Sequence, residues 1–188
     1  GGHGSPVDWC CSVKPQDSSR WTEPQTIAAG TYPVFICDRD NTLYLTVRHQ
    51  APGERALGVD LYAKPQDGPW VTRGRIVCRA DEYYKTYAAY HMQMVVASTG
   101  TLHAVIDFYE GCDEHGGRGL HQAVCYAASD DGGLTWQRAD GTPVKTPARP
   151  EDLDTFARSI EPRHEKLPRP EISQGGIVVD SRGRPYVL

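Results

Sequence analysis

The eight residues Ser129-Asp130-Asp131-Gly132-Gly133-Leu134-Thr135-Trp136 constrain this chain more than any other stretch. They read Ser-x-Asp-x-Gly-x-Thr-Trp, and each fixed position has a mechanical job. Glycines allow turn conformations that other residues resist. The Asp carboxylate can accept backbone N–H groups within the turn. The Trp can lay its ring against the sheet that the turn closes. The stretch therefore marks a β-hairpin, and its own residues are expected to be structural.

Weaker copies surround it. Ala63-Lys64-Pro65-Gln66-Asp67-Gly68-Pro69-Trp70 is a degenerate version, and Val13 to Trp21 a more worn one. Trp21, Trp70 and Trp136 recur at intervals of 49 and 66 residues. Three strand–turn–strand segments accompany them: Pro33–Cys37 with Leu43–Val47, Met92–Ala97 with Leu102–Ile106, and Gly176–Val179 with Pro185–Val187. Each sets β-branched and aromatic residues around a turn rich in Gly, Asn, Asp or Ser. Self-similarity at this scale is the mark of a repeat architecture. Residues 146–170, rich in Pro, Arg and Glu, break the rhythm and read as a long loop, with a short helix expected over Asp152 to Ile160.

The 188 residues suffice for a sizeable core. A formal net charge of −4 gives no reason to expect nucleic acid or a membrane surface as partner. No apolar run approaches the ~20 residues needed to cross a bilayer. Gly1-Gly2 is not a natural start and the chain ends in strand-like residues, so a piece of a longer protein is expected. The six cysteines, Cys10, Cys11, Cys37, Cys78, Cys112 and Cys125, read as buried free thiols or as disulfides.

Two local constellations could carry chemistry. Thr31-Tyr32-Pro33 opens the first hairpin and Arg48 closes it, so a turn over Asp38 to Thr42 brings Tyr32 opposite Arg48 to within about a residue. The pair is either a shared site or simple packing at a sheet edge. His3, among glycines and before Pro6, belongs to a turn or strand end, where an accessible imidazole could serve as a reagent near neutral pH; the alternative is a plain surface histidine.

Ser129 to Trp136 matches the Asp box, or BNR repeat, of sialidase-like β-propellers. The run His3-Gly4-Ser5-Pro6, Lys14-Pro15 with Asp17, Trp21-Thr22, Thr31-Tyr32-Pro33, Leu43-Tyr44-Leu45 and Arg48 resembles the BNR-repeat propellers that include ulvan lyases. The likeness continues through Ala127 to Trp136, Arg138 to Pro143, Gln174-Gly175-Gly176 and Asp180 to Pro185. It implies an all-β fold, a β-propeller of four-stranded blades. Residues 1–188 would then hold about three blades plus the first hairpin of another, roughly half of a six- or seven-bladed ring. Residues 146–170 become an inter-blade loop.

The resemblance also implies roles. His3, Tyr32 and Arg48 match catalytic residues of ulvan lyases, and a further catalytic histidine is expected before Gly1. Such enzymes cleave acidic polysaccharide by β-elimination, with no cofactor needed for catalysis. Arg48 would pair with a uronate carboxylate, His3 would serve as base, and Tyr32 would protonate the leaving oxygen or share the base role. Alternatives are an exo-glycosidase, sialidase-like or acting on a rhamnose–glucuronate linkage, and a non-catalytic carbohydrate-binding propeller. A secreted or periplasmic monomer follows by the same likeness. Tyr90 and His91, in an aromatic run that starts at Tyr83, are candidates for sugar contact or for ordinary packing. His103 reads as a structural strand residue.

Cys112, His115, His121 and Cys125 are zinc-type ligands. His121 and Cys125 lie ~13 Å apart if both are on one strand, so not all four can hold one ion. Cys112 and His115 with one of the other two, and a fourth such as His91, could do so. The structural zinc of ulvan lyases is the family precedent, and a polar loop or a disulfide is the alternative.

Overall fold

In the computed structural model the chain is described over residues 4–49, 58–77, 87–110, 120–158 and 176–188. These residues form β1 (Pro6–Trp9), β2 (Gln25–Ala29), β3 (Thr31–Cys37), β4 (Leu43–His49), β5 (Gly58–Lys64), β6 (Val71–Val77), β7 (Tyr87–Val96), β8 (Leu102–Glu110), β9 (Leu120–Ser129), β10 (Trp136–Gln137), β11 (Pro143–Val144), β12 (Asp154–Arg158), β13 (Ile177–Val179) and β14 (Pro185–Val187). All named sheet pairings are antiparallel. They build the two-stranded sheets β1-β2 and β13-β14, the four-stranded sheet β3-β4-β5-β6, and a sheet ordered β11-β10-β9-β8-β7 with β12 also paired to β9. No helix among the described residues is long and apolar enough to cross a membrane.

One core lies between the two large sheets. Val59, Leu61 and Ala63 of β5 meet Met92, Met94, Leu102, Ile106 and Phe108 of β7 and β8, all nearly inaccessible to solvent. Strand β4 is buried from Tyr44 to Arg48 because it is central in its sheet and covered on both faces. A strand so placed reads as a continuous run rather than an alternation. Burying a Leu, Ile or Phe side chain here contributes roughly 1.5–3 kcal/mol.

The three predicted hairpins share one turn. Asp38 N–H donates to Thr42 O and Asn41 N–H to Asp38 O, at 3.0 and 3.2 Å. Ala97 with Thr101 and Gly100, and Asp180 with Arg184 and Gly183, repeat both bonds. The fourth turn residue has positive φ each time: Asn41 60°, Gly100 93°, Gly183 80°. Gly and Asn are the residues that tolerate it. In the first and third copies the Asp carboxylate also binds the turn: Asp38 Oδ1 accepts from Asp40 and Thr42, and Asp180 Oδ1 from Arg182 and Arg184. Arg39 Nη1 reaches Ser98 O at 3.0 Å, tying the first turn to the second.

The Ser129–Trp136 turn works as its residues require. Asp131 accepts from Ser129 Oγ, from the Leu134 and Thr135 N–H groups and from Thr135 Oγ1, at 2.6–3.0 Å. Burial pushes the Asp131 pKa up, but those donors outweigh it and hold the carboxyl below the usual range. Trp136 is buried in the core. Gly132 and Gly133 lie against Tyr44 and Leu61, so this turn locks its sheet onto the preceding one. In the degenerate copy Trp70 packs against Trp9 and Phe35, at centroid distances of 6.0 and 6.2 Å. In the worn copy Asp17 still accepts from Ser19, but Trp21 is exposed.

Two expectations are corrected. The helix expected over Asp152 to Ile160 is a 3-10 turn at Pro150–Asp152 followed by strand β12. Thr155 and Phe156 favour an extended chain, and β9 offers a free edge beyond its pairing with β10. The 146–170 stretch is thus part strand rather than loop throughout. Free cysteines Cys10, Cys11 and Cys37 are exposed, and Cys125 alone among the described ones is buried. Cys78 and Cys112 lie outside the described residues.

Candidate functional site

Gly30 starts the site. A Cβ there would run into Val47 Cγ1 and the Arg48 carbonyl, so only glycine lets β3 begin this close to the end of β4. Thr31 then pairs with Arg48, and Val34 with Thr46, leaving Tyr32 and Pro33 opposite the single residue Val47 in a bulge. Pro33 suits a bulge because it has no N–H to give the ladder. Tyr32 has φ 51°, a left-handed conformation that costs a non-glycine residue about 1–2 kcal/mol. Bulges beside functional sites re-aim side chains, and this one turns the Tyr32 ring beneath Arg48, with Cζ 4.5 Å from the ring centroid. Arg48 is only 4% exposed, Tyr32 42%. Arg48 Nε donates to Thr31 Oγ1 at 3.1 Å. Tyr32 stands opposite Arg48 to within one residue, as expected, and the bulge makes Thr31 the direct partner.

The second hairpin carries different groups at the matching places. Tyr32 lies six residues before Asp38 and Arg48 ten after it; His91 and Asp107 stand in the same relation to Ala97. Because the Arg39–Ser98 bond holds the two turns together, these positions share the opposite end of their sheets. β7 packs against β3, β4 and β5. His91 pairs in register with Asp107 across a second bulge, between Ala89 and His91. Asp107 is fully buried, and its Oδ2 lies 2.7 Å from His121 Nδ1. Tyr109 meets the His121 ring edge-on at 5.2 Å.

A third group joins three strands of the first large sheet. Asp60 Oδ2 lies 2.7 Å from His49 Nδ1 and Asp60 Oδ1 2.7 Å from Arg75 Nε. Gly58 makes room for it: a Cβ would come within 2.8 Å of Arg75 Nη1. Sequence reading missed Asp60 and Asp107. Their only signal is a lone carboxylate inside an apolar strand, Val59-Asp60-Leu61 and Ile106-Asp107-Phe108.

Of the predicted site residues, the structure brings Tyr32 and Arg48 together. His3, Cys112 and His115 lie outside the described residues, as do the side chains of Tyr90 and His91. His121 and Cys125 do not meet. Cys125 pairs with Ile106 and sits in the apolar core, its Sγ near Thr155 Oγ1 at 3.6 Å. His121 is held by Asp107, the next residue along β8, and neighbouring strand residues point to opposite faces. The described residues therefore do not fit a zinc held by both, and among them no group of three or more His, Cys, Asp or Glu is placed to hold a metal ion.

His103 is structural, as expected. It is buried in β8 with Nδ1 2.7 Å from Tyr126 Oη. Burial holds its pKa below the usual imidazole range, with Asp130 acting weakly the other way. Burial also pushes the Tyr126 phenol up to about 12. A pKa lower in the folded than in the unfolded chain means that protons favour unfolding. The His103 contribution is complete above about pH 6.5 and is lost as pH falls through the window below it. Urea midpoints at pH 7.5 and 5.5 should fall less in His103→Gln than in the parent; equal falls would refute the assignment.

The fold and site define an all-β protein whose repeated hairpins present polar groups at one sheet end. The chain belongs to the BNR repeat-containing family, whose model matches residues 1–188. Among curated proteins none is similar enough in sequence to count as a relative. Among solved structures, the chain is similar to an ulvan lyase of polysaccharide lyase family PL25 bound to a glucuronate–rhamnose-3-sulfate repeat, with a TM-score of 0.71 at 16% identity. The same enzyme family without that ligand gives 0.71 at 15%. Each comparison covers 97% of this chain and 42% of the other, so the chain spans less than half the length of those enzymes.

Proposed function

We propose that this chain is part of a secreted or periplasmic β-propeller enzyme, acting as a monomer, that cleaves uronate-containing acidic polysaccharide by β-elimination. The sheets would be about three four-stranded blades and the first hairpin of another. The observation that carries the reading is the Tyr32 ring held 4.5 Å under the buried Arg48 guanidinium by a strained bulge. Backbone strain of this kind concentrates at functional sites. Likeness to a polysaccharide lyase that binds a glucuronate-containing ligand supports it.

Arg48 pairs with the uronate carboxylate and so acidifies the adjacent C5 proton. A base, His3 or another histidine, takes that proton. The electron pair forms the C4–C5 double bond as the C4–O bond breaks, and the Tyr32 phenol protonates the departing oxygen. No cofactor enters these steps. A structural zinc would rest on Cys112 and His115 with one of His121 and Cys125 and a fourth ligand such as His91.

The full-length protein should generate the ultraviolet absorbance of an unsaturated uronate from ulvan or a similar polyuronate. Tyr32→Phe should lower kcat by about 10²–10⁴-fold, the usual worth of a positioned acid or base, with ligand affinity retained. New reducing ends without the absorbance would mean hydrolysis instead. Binding with neither product would leave a carbohydrate-binding propeller.

A further inference from the structure

We propose that His49 binds the sugar next to the cleaved uronate, its Nε2 accepting the hydrogen of a sugar hydroxyl. The inference rests on the reading of this sheet end as a polysaccharide-binding site. His49 ends β4, one residue after Arg48. Neighbouring strand residues point to opposite faces. Arg48 pairs with Val59, which belongs to the core between the large sheets, so His49 stands on the other face. A polysaccharide laid across the end of β4 meets the two residues with different sugars of its chain.

The imidazole is gripped from one side. Its Nδ1 lies 2.7 Å from Asp60 Oδ2 and 3.1 Å from Arg75 Nη2. A carboxylate only accepts and a guanidinium only donates, so Nδ1 of a neutral ring serves one of them. The hydrogen belongs to the shorter contact, with Asp60, and the lone pair is then on Nε2. Asp60 is fixed in turn by Arg75, with Nε 2.7 Å from Oδ1 and Nη2 3.3 Å from Oδ2. Nε2 has no hydrogen-bond partner among the described residues and is not one of their buried polar atoms. The His49 side chain is 29% exposed, against 13% for Asp60 and 12% for Arg75, so the imidazole is the outward tip of the group. Its direct cross-strand partner is Gly58, which has no side chain to cover it. A carboxylate that fixes the tautomer makes the far nitrogen a dependable acceptor, and a side chain already ordered has less to lose on binding.

The test uses the full-length protein with a glucuronate-containing tetrasaccharide, read by calorimetric binding and by formation of unsaturated product. His49→Asn puts an amide N–H near the place of Nδ1, so the bond to Asp60 survives and the Nε2 acceptor is gone. It should raise Kd and KM by about 3–10-fold, the net worth of one hydrogen bond, with kcat and melting temperature close to the parent's. A KM effect without a kcat effect marks a contact made equally in the ground and transition states. His49→Gln puts an acceptor near the place of Nε2 and gives up the bond to Asp60. It should bind more tightly than His49→Asn although it melts lower. An imidazole that serves only to tie the strands predicts the reverse order.

Parent-like Kd and KM in His49→Asn overturn the proposal. So does a fall in kcat of about 10²-fold or more at unchanged KM, which would make His49 an acid or base instead. Should His49→Asn fail to fold, nitrogen NMR of the parent's imidazoles decides in its place: the His49 Nε2 resonance must move when the tetrasaccharide is added, and a resonance that stays put overturns the proposal. If the parent binds the tetrasaccharide without forming unsaturated product, β-elimination is wrong, and the same variants read as Kd still decide the role of His49. If the parent binds no uronate oligosaccharide, both readings fall.

Discussion

Replacing Arg48 with alanine should lower kcat/KM on a uronate polysaccharide by about 10³-fold or more. The bulge, the Tyr32 ring and Thr31 jointly hold the guanidinium at this sheet end. Elimination builds negative charge on the uronate carboxylate as the C5 proton leaves. Removing a single preorganised donor from such a charge costs about 10²–10³-fold, and here a formal charge and a two-point contact go together. Arg48→Lys keeps the charge but loses the planar fork, so it should fall between the parent and alanine. Activity of Arg48→Ala within about tenfold of the parent, well short of that range, would remove Arg48 from the reaction. A melting curve must accompany the assay, because the side chain is buried.

Gly133→Ala should cost about 3 kcal/mol of stability. Two costs add. Gly133 has φ 87°, where a side chain costs about 1–2 kcal/mol. Its new Cβ would also collide with Leu61 Cδ2 of the neighbouring sheet, and overpacking a core costs typically 1–3 kcal/mol. For a chain of this size that is a fall of about 10 °C in Tm. Gly141→Ala is the control. Its φ is 85°, but nothing lies within 4 Å of the added atom, so it should show the backbone cost alone. If the two variants melt together, the turn does not lock one sheet to the next.

What was legible in the sequence was local. The Ser129–Trp136 turn and the three hairpins depend on residues within a few positions of each other, and they stand where expected. Tyr32 and Arg48 were legible because one turn length fixes their register to within a residue, and the remaining offset comes from the bulge. A bulge depends on how Pro33 and the Gly30 contact with β4 are accommodated, which no spacing rule reports. Asp107 with His121, and Asp60 with His49 and Arg75, escaped for a related reason. Their partners come from two or three strands, and only the completed ladder brings them side by side. Strand β12 was hidden because its extended form depends on the edge of β9.

The bond from Arg39 to Ser98 has a consequence for how such a protein can diversify. It anchors neighbouring repeats at their turns, far from the end where Tyr32 and Arg48 stand in one hairpin and His91 and Asp107 in the next. These two hairpins then each hold two positions, six residues before the turn and ten after it, at which one residue type can be exchanged for another. Such an exchange leaves the turn bonds and the apolar layer between the large sheets untouched. Differences between repeats can therefore be confined to two positions per hairpin while the scaffold stays the same.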